Sequence, residues 1–360
     1  MLAAPDSFKG TATSSDVAAA IAEGAHRSGW TCDTCPMSDG GEGFAEVLAP
    51  LGGEIVEAAV TGPLGGRVTA RWRHTGNLAV IECAEASGLV LAGGPEGNDP
   101  LAASSRGTGE LVARAVALGA RRVLVGLGGS ATTDGGTDAV SAIEEAGGLR
   151  GAEVIVACDV TTAFLDAAKV FGPQKGASPA QVELLSARLA AAAERYRALY
   201  GVDVTTLTGA GAAGGLAGGL AALGAKLVPG FQVVARALDL ERRIGRADLV
   251  VTGEGRLDLT SWSGKVVGGV TALAAAAGAP VLVVAGSVAP GVAAGASAGA
   301  TGGAAAGASA GATGGQDGEP ALQVASLEDR FGIAAAMADP ARCVREIVAE
   351  HLRSQGQARA

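Results

Sequence analysis

The chain has 360 residues, more than one hydrophobic core usually organises, so two domains are expected. Hydrophobic residues make up 48% and charged residues 18%, with 58 glycines, which excludes a disordered chain and points to a turn-rich globular one. The formal net charge of −9 is the opposite of the basic footprint that nucleic acid requires, so no nucleic-acid partner is expected.

Near the start, Thr13-Ser14-Ser15-Asp16 reads as a capping box. Val17, Ala18, Ile21 and Ala25 follow at helical spacing, Gly29 can end the helix, and a strand is expected around Thr31 to Pro36. Gly107-Thr108-Gly109-Glu110 opens a helix that ends near Gly119, and Arg122 to Gly126 reads as a strand running into Gly128-Gly129-Ser130. The same order recurs at Ala247 to Thr252, with Gly253-Glu254-Gly255 after the strand and a helix from about Gly264-Lys265. Apolar strands alternating with helices predict an α/β architecture, in which ligands bind at the carboxyl ends of strands.

No charged residue occurs from Val266 to Gln316, and Val266 to Gly286 is long enough to cross a bilayer as one helix. Gly278-Ala279-Pro280 breaks any such helix, leaving a buried helix followed by a strand at Val281 to Val284, so no membrane partner is expected. The nonapeptide GASAGATGG occurs at 295–303 and again at 307–315; a tract of such small residues reads as a linker or loop. A strand over 320–325 and an amphipathic helix from Pro340 to Arg353 close the chain.

The five cysteines, Cys32, Cys35, Cys83, Cys158 and Cys343, are odd in number, and no secretory signal opens the chain, so a cytoplasmic location is expected. Cys32 and Cys35 lack a second pair or a nearby histidine and read as packed thiols. His26, His74 and His351 share no metal-like spacing.

Four segments join glycine to acidic, basic or hydroxyl residues: Pro5 to Gly10, Ser38 to Gly43, Gly126 to Gly136 and Thr252 to Lys265. Phosphoryl transfer needs such a set, because glycines let backbone N–H groups approach phosphate, lysine offsets its charge, and carboxylates hold a cation or accept a proton. Gly126 to Ala131 fits GxGxxA, but no acidic residue follows at the Rossmann distance. Gly264-Lys265 is followed by Val266 and lacks the glycine a Walker A loop needs, so a nucleotide site here is not of the P-loop type.

In order, PDSFKG, DGGEG, TGPLG, SRGTGEL, GLGGSAT, DGG, FGPQKGA, GAGAAGG and TGEGRLD resemble the bacterial class II glycerate kinase family, from Pro5 to about Gly286. FGPQKGA at 171–177 and GAGAAGGLAGGL at 209–220 are the most specific of these strings. The resemblance implies two α/β domains. A flavodoxin-like domain is built from residues 1–60 and 241–360, with a low-complexity insert at 288–318, and a second α/β domain, 61–240, is inserted into it. It also implies transfer of phosphate from ATP, with Mg²⁺, to D-glycerate, most often giving 2-phosphoglycerate. A 3-phosphoglycerate product, a related hydroxy acid as acceptor, and a ligand-binding paralogue without turnover are the alternatives.

On that footing, Lys9 and Arg106 are candidates to hold the substrate carboxylate, with Ser7 and Glu42 beside them. Asp39 is the candidate base, with Asp134 as its rival. Gly128, Gly129, Ser130 and Thr132 would cradle phosphate with added charge from Lys175 and Lys265, and Asp134, Glu254 or Asp258 would carry Mg²⁺. Several positions depart from the family pattern: the first strand is short, the segment between Ala142 and Ala157 is abbreviated, Thr133 stands where asparagine is usual, and Phe44 follows DGGEG.

Overall fold

A computed structural model describes residues 1–292 and 322–358. Its strands are β1 (Leu2–Ala3), β2 (Asp33–Thr34), β3 (Glu54–Thr61), β4 (Arg67–His74), β5 (Leu78–Glu82), β6 (Arg122–Gly126), β7 (Glu153–Ala157), β8 (Lys226–Val228), β9 (Val250–Leu257), β10 (Val281–Val288) and β11 (Leu322–Ser326). The fold is α/β, with two sheets. The GASAGATGG repeats lie outside the described residues.

The chain divides into two compact units, Met1–Asp39 with Val234–Ala360, and Gly40–Val233. The first division falls at Asp39, and β3, which follows it, pairs along its whole length with β4, from Glu54 opposite His74 to Thr61 opposite Arg67. Residues 40–60 belong with the second unit.

The first unit carries a five-stranded sheet in the order β11-β10-β9-β1-β2, every pair parallel. Counted within the unit this is 2-1-3-4-5, the flavodoxin-like order, whose switch point falls between β1 and β9. Parallel strands are covered on both faces, which is why Val281 to Ala285 is an unbroken buried run.

Strand β1 has only two residues, yet its ladder continues: the Ala4 N–H donates to Val251 C=O, the Asp6 N–H to Gly253 C=O, and the Met37 N–H to Pro5 C=O. The short first strand is thus extended by sheet-like pairing as far as Asp6. Thr13 caps the helix Ser14–Arg27, and Thr13 and Asp16 form the expected capping box. Val17, Ala18, Ile21 and Ala25 of this helix share a core with Val344, Ile347 and Val348 of the helix Pro340–Ala358. The two helices meet at Gly24, where a Cβ would stand 2.6 Å from the Arg345 carbonyl oxygen. Within the described part of the uncharged stretch lie the helix Val266–Ala276 and β10, and among the described residues no helix is long and apolar enough to cross a membrane.

The second unit holds a six-stranded sheet in the order β3-β4-β5-β6-β7-β8, antiparallel from β3 to β5 and parallel from β5 to β8. Val123, Val125, Val154 and Val156 of its parallel strands are packed with Leu111, Val112 and Ile143. The helices Arg106–Ala117 and Thr137–Glu145 touch where Gly109 leaves room, since a Cβ there would meet the Ala139 carbonyl oxygen at 2.3 Å.

Candidate active site

The residues singled out for chemistry fall into two groups, one in each unit. In the first unit, a cavity of about 360 Å³ opens at the carboxyl edge of the sheet, the place where doubly wound sheets bind ligands. Ser7, Lys9, Asp39, Glu254 and Lys265 all line it. The β1 ladder delivers Ser7 and Lys9, the chain leaving β2 delivers Asp39, and β9 delivers Glu254. Lys265 is the N-cap residue of the helix Val266–Ala276, so its ammonium and the helix N-terminus present positive potential together.

Lys9 is exposed and forms an ion pair with Asp39, Nζ to Oδ2 at 4.0 Å. A carboxylate able to accept a proton thus stands beside a cation able to orient an anionic substrate. Asp6, in a segment the sequence marks but not among its candidate residues, lies buried in the same wall. Its Oδ1 accepts the Ser7 N–H at 2.7 Å. Burial, then the charge of Asp39, pushes the Asp6 carboxyl up to about 7; the Ser7 N–H and Lys9 oppose the shift and Glu254 adds to it. Only the packing of β1 against β9 shows this, because the sequence does not reveal how deep Asp6 sits.

Glu254 is also raised, chiefly by burial, and its Oε1 is a buried oxygen with no hydrogen-bond partner among the described residues. Such an orphaned hard oxygen fits a Mg²⁺ ligand. Among the described residues no group of three acidic, histidine or cysteine side chains could hold a metal, so a metal here would rely on one or two carboxylates and the phosphates themselves. Asp258 is committed elsewhere: its Oδ1 accepts the Thr260 N–H and hydroxyl as the cap of a short helical turn.

The second group surrounds the glycine loop after β6. Gly128, Gly129 and Ser130 lie together there, with Gly129 exposed and Ser130 buried. Lys175 is buried beneath, donating from Nζ to Ser130 Oγ at 2.8 Å and to Thr132 C=O at 2.7 Å. The Thr132 side chain is buried too and donates to Ala213 C=O. Asp134 is held inside the fold: Oδ2 accepts the Ser105 N–H and hydroxyl, and Oδ1 accepts the Gly136 N–H. Burial raises the Asp134 carboxyl, and these hydrogen bonds pull it back. Arg106 is engaged by Glu110 and Glu145, so a substrate carboxylate would have to compete with both. Glu42 is exposed in its turn. The arrangement makes Asp134 and Arg106 ties between helices, not open ligand groups.

The family model for the glycerate kinase family matches residues 1–147 and 144–313. The chain belongs to the glycerate kinase family. The two matches meet within Glu144–Gly147, in the segment between Ala142 and Ala157 that departs from the family pattern. The glycerate 2-kinase of Escherichia coli (strain K12) is 41% identical over 322 residues, 79% of this chain and 84% of that protein. An uncharacterised protein of Mycobacterium bovis is 44% identical over 303 residues, covering 80% of this chain and 79% of its own. A crystal structure from Salmonella typhimurium LT2, whose protein is provisionally designated glycerate kinase 2, superposes with a TM-score of 0.78 at 33% identity, covering 99% of this chain and 98% of the other. Membership of the glycerate kinase family makes the chain a kinase enzyme.

Proposed function

We propose that this enzyme transfers the terminal phosphoryl group of ATP to the 2-hydroxyl of D-glycerate, giving 2-phosphoglycerate and ADP. The observation that carries the reading is the first unit's cavity, which sets Asp39 beside Lys9 at the carboxyl edge of the sheet in a chain of this family. Lys9 holds the glycerate carboxylate, and Ser7 at the cavity wall offers a further donor. Asp39 accepts the hydroxyl proton as the oxygen–phosphorus bond forms and the bond from phosphorus to the ADP oxygen breaks; the proton then leaves to solvent. In the second unit the glycine loop with Lys175 beneath it offers donors to a phosphate, and in the first unit Lys265 adds charge at a helix N-terminus lining the cavity.

Glu254 is the residue that would hold Mg²⁺, through its orphaned oxygen. The ion, when bound, offsets charge on the phosphate oxygens. Cysteines that are all free support a reducing, cytoplasmic setting.

The test is a coupled ADP-release assay with D-glycerate, ATP and Mg²⁺, followed by phosphorus NMR of the product. Glycerate-dependent ADP release with the phosphate on C2 is the expected result. Release with the phosphate on C3 would move the reaction to the other hydroxyl, and no release from folded protein would overturn the reading.

A further inference from the structure

Lys175 belongs to one of the most specific strings in the sequence, and its position raises a problem of charge. Its side chain is 4% exposed, and among the described residues it makes no ion pair. Both acceptors of its ammonium, Ser130 Oγ and Thr132 C=O, are neutral. An ammonium removed from water without a counter-ion is unfavourable, and burial draws the Lys175 pKa down to about 8. Two titratable groups face it, Cys83 and Asp134, and both act in the opposite direction. Cys83 is itself a buried thiol whose pKa burial pushes up to about 12, so it carries no charge near neutral pH. Asp134 already accepts three hydrogen bonds from Ser105 and Gly136.

The direction of the hydrogen bonds adds a second observation. An ammonium only donates, so Ser130 Oγ is the acceptor in its bond with Lys175 and must direct its own proton elsewhere. Among the described residues no acceptor receives that proton, nor the N–H of Gly129 or of Ser130. Three donors therefore lie on two consecutive residues, Gly129, which is exposed, and Ser130, which is buried, above a buried positive charge. The turn is held firmly: Asn98 donates from Nδ2 to both Ala131 C=O and Lys175 C=O, and Gly176 packs where a Cβ would meet the Pro95 carbonyl oxygen at 2.2 Å.

We propose that Lys175 is the buried counter-charge of a phosphate site on the Gly128–Ser130 loop, and that it acts as a positioning residue by holding Ser130 so that the hydroxyl proton is presented to a phosphate oxygen. The inference rests on the ATP-dependent reading above and adds to it a proton linkage. A bound dianionic phosphate stabilises the charged lysine, so phosphate binding above pH 8 takes up a proton, and affinity falls as pH rises.

The experiment is calorimetric titration with ADP at pH 6.5 and pH 8.5, in buffers of different ionisation enthalpy, with D-glycerate titrated in parallel. ADP is expected to take up most of a proton at pH 8.5 and little at pH 6.5, and to bind about tenfold more weakly for each pH unit above 8. Lys175→Met should abolish the uptake and weaken ADP at pH 7 by about tenfold or more. Ser130→Ala, which leaves the lysine in place, should also weaken ADP, and it decides the matter together with parental proton uptake if Lys175→Met fails to fold. Proton-neutral ADP binding at pH 8.5, uptake that persists in Lys175→Met, or uptake confined to D-glycerate would overturn the proposal. Glycerate-dependent ADP release alongside proton-neutral ADP binding would leave the kinase reading standing and remove this site. Failure of ADP to bind at any pH would remove both.

Discussion

Ser105 donates twice to one oxygen of Asp134, from its N–H at 2.9 Å and from its hydroxyl at 2.7 Å, while its own Oγ accepts the Ala139 N–H at 3.1 Å. This joins the start of the helix Arg106–Ala117 to the loop that leads into the helix Thr137–Glu145. Asp134→Ala removes the shared acceptor and strands the N–H groups of Ser105 and Gly136. A loss of about 2–4 kcal/mol is expected in urea unfolding, with part recovered by Asp134→Asn, whose amide oxygen still accepts. Unchanged unfolding with abolished turnover would instead give Asp134 a direct part in the chemistry.

Gly214→Ala tests how tightly the second unit's glycine segments are packed. Gly214 has φ +67°, and a Cβ there would lie 1.9 Å from the Thr132 carbonyl oxygen and 2.6 Å from Thr133 Cα. Gly224 has φ +94° with nothing within 4 Å of a Cβ. Gly224→Ala should therefore lose only the left-handed backbone preference, about 1 kcal/mol, and Gly214→Ala about 2 kcal/mol or more beyond that. Equal midpoints in thermal unfolding would show that the Thr132 loop yields freely.

What could be read from the sequence follows the range of the interactions involved. The Thr13 cap, the helix stripe of Val17 to Ala25 and β6 were legible because capping and periodicity are local. The helix Pro179–Tyr200 is hard to read from periodicity, since alanines blur its apolar stripe, although Ser178 and Gln181 form a capping box at its start. The division of the compact units at Asp39 is not legible in the sequence, because the pairing of β3 with β4 is tertiary. At the site, the glycine loops were visible as strings of residues. That Lys175 turns inward, and that Asp6 is sealed beside Asp39 and Glu254, depend on burial that no short window encodes.

Lys9 and Asp39 are expected to separate kinetically. Asp39→Asn removes a proton acceptor and should lower glycerate-dependent kcat by about 10²–10⁴ while leaving the KM for ATP near the parental value. Lys9→Ala removes the cation 4.0 Å from Asp39 and should raise the KM for glycerate by about tenfold or more, with a smaller effect on kcat. Steady-state kinetics with each substrate varied in turn distinguish the two. If both variants kept near-parental kcat and KM, the chemistry would have to be sought outside this cavity.

Asp6 should make stability depend on pH in a defined direction. Its folded pKa, about 7, lies above the ordinary 3.8, mainly because it is buried and next because Asp39 repels its charge. Between about pH 4 and pH 7 the folded protein therefore holds a proton that the unfolded chain has released. Stability from this group falls as pH rises through that window, and above pH 7 a buried charge must be carried. Asp6→Asn keeps the shape without the charge, so it should match the parent near pH 4 and exceed it at pH 8 by on the order of 2–4 kcal/mol. Asp39→Asn should lower the Asp6 pKa, visible in carbon NMR of the Asp6 carboxyl, because it removes the neighbouring charge. A stability difference between Asp6→Asn and the parent that stays flat from pH 4 to pH 8 would mean that Asp6 meets water freely and that the wall of the cavity is open where the packing of β1 and β9 closes it.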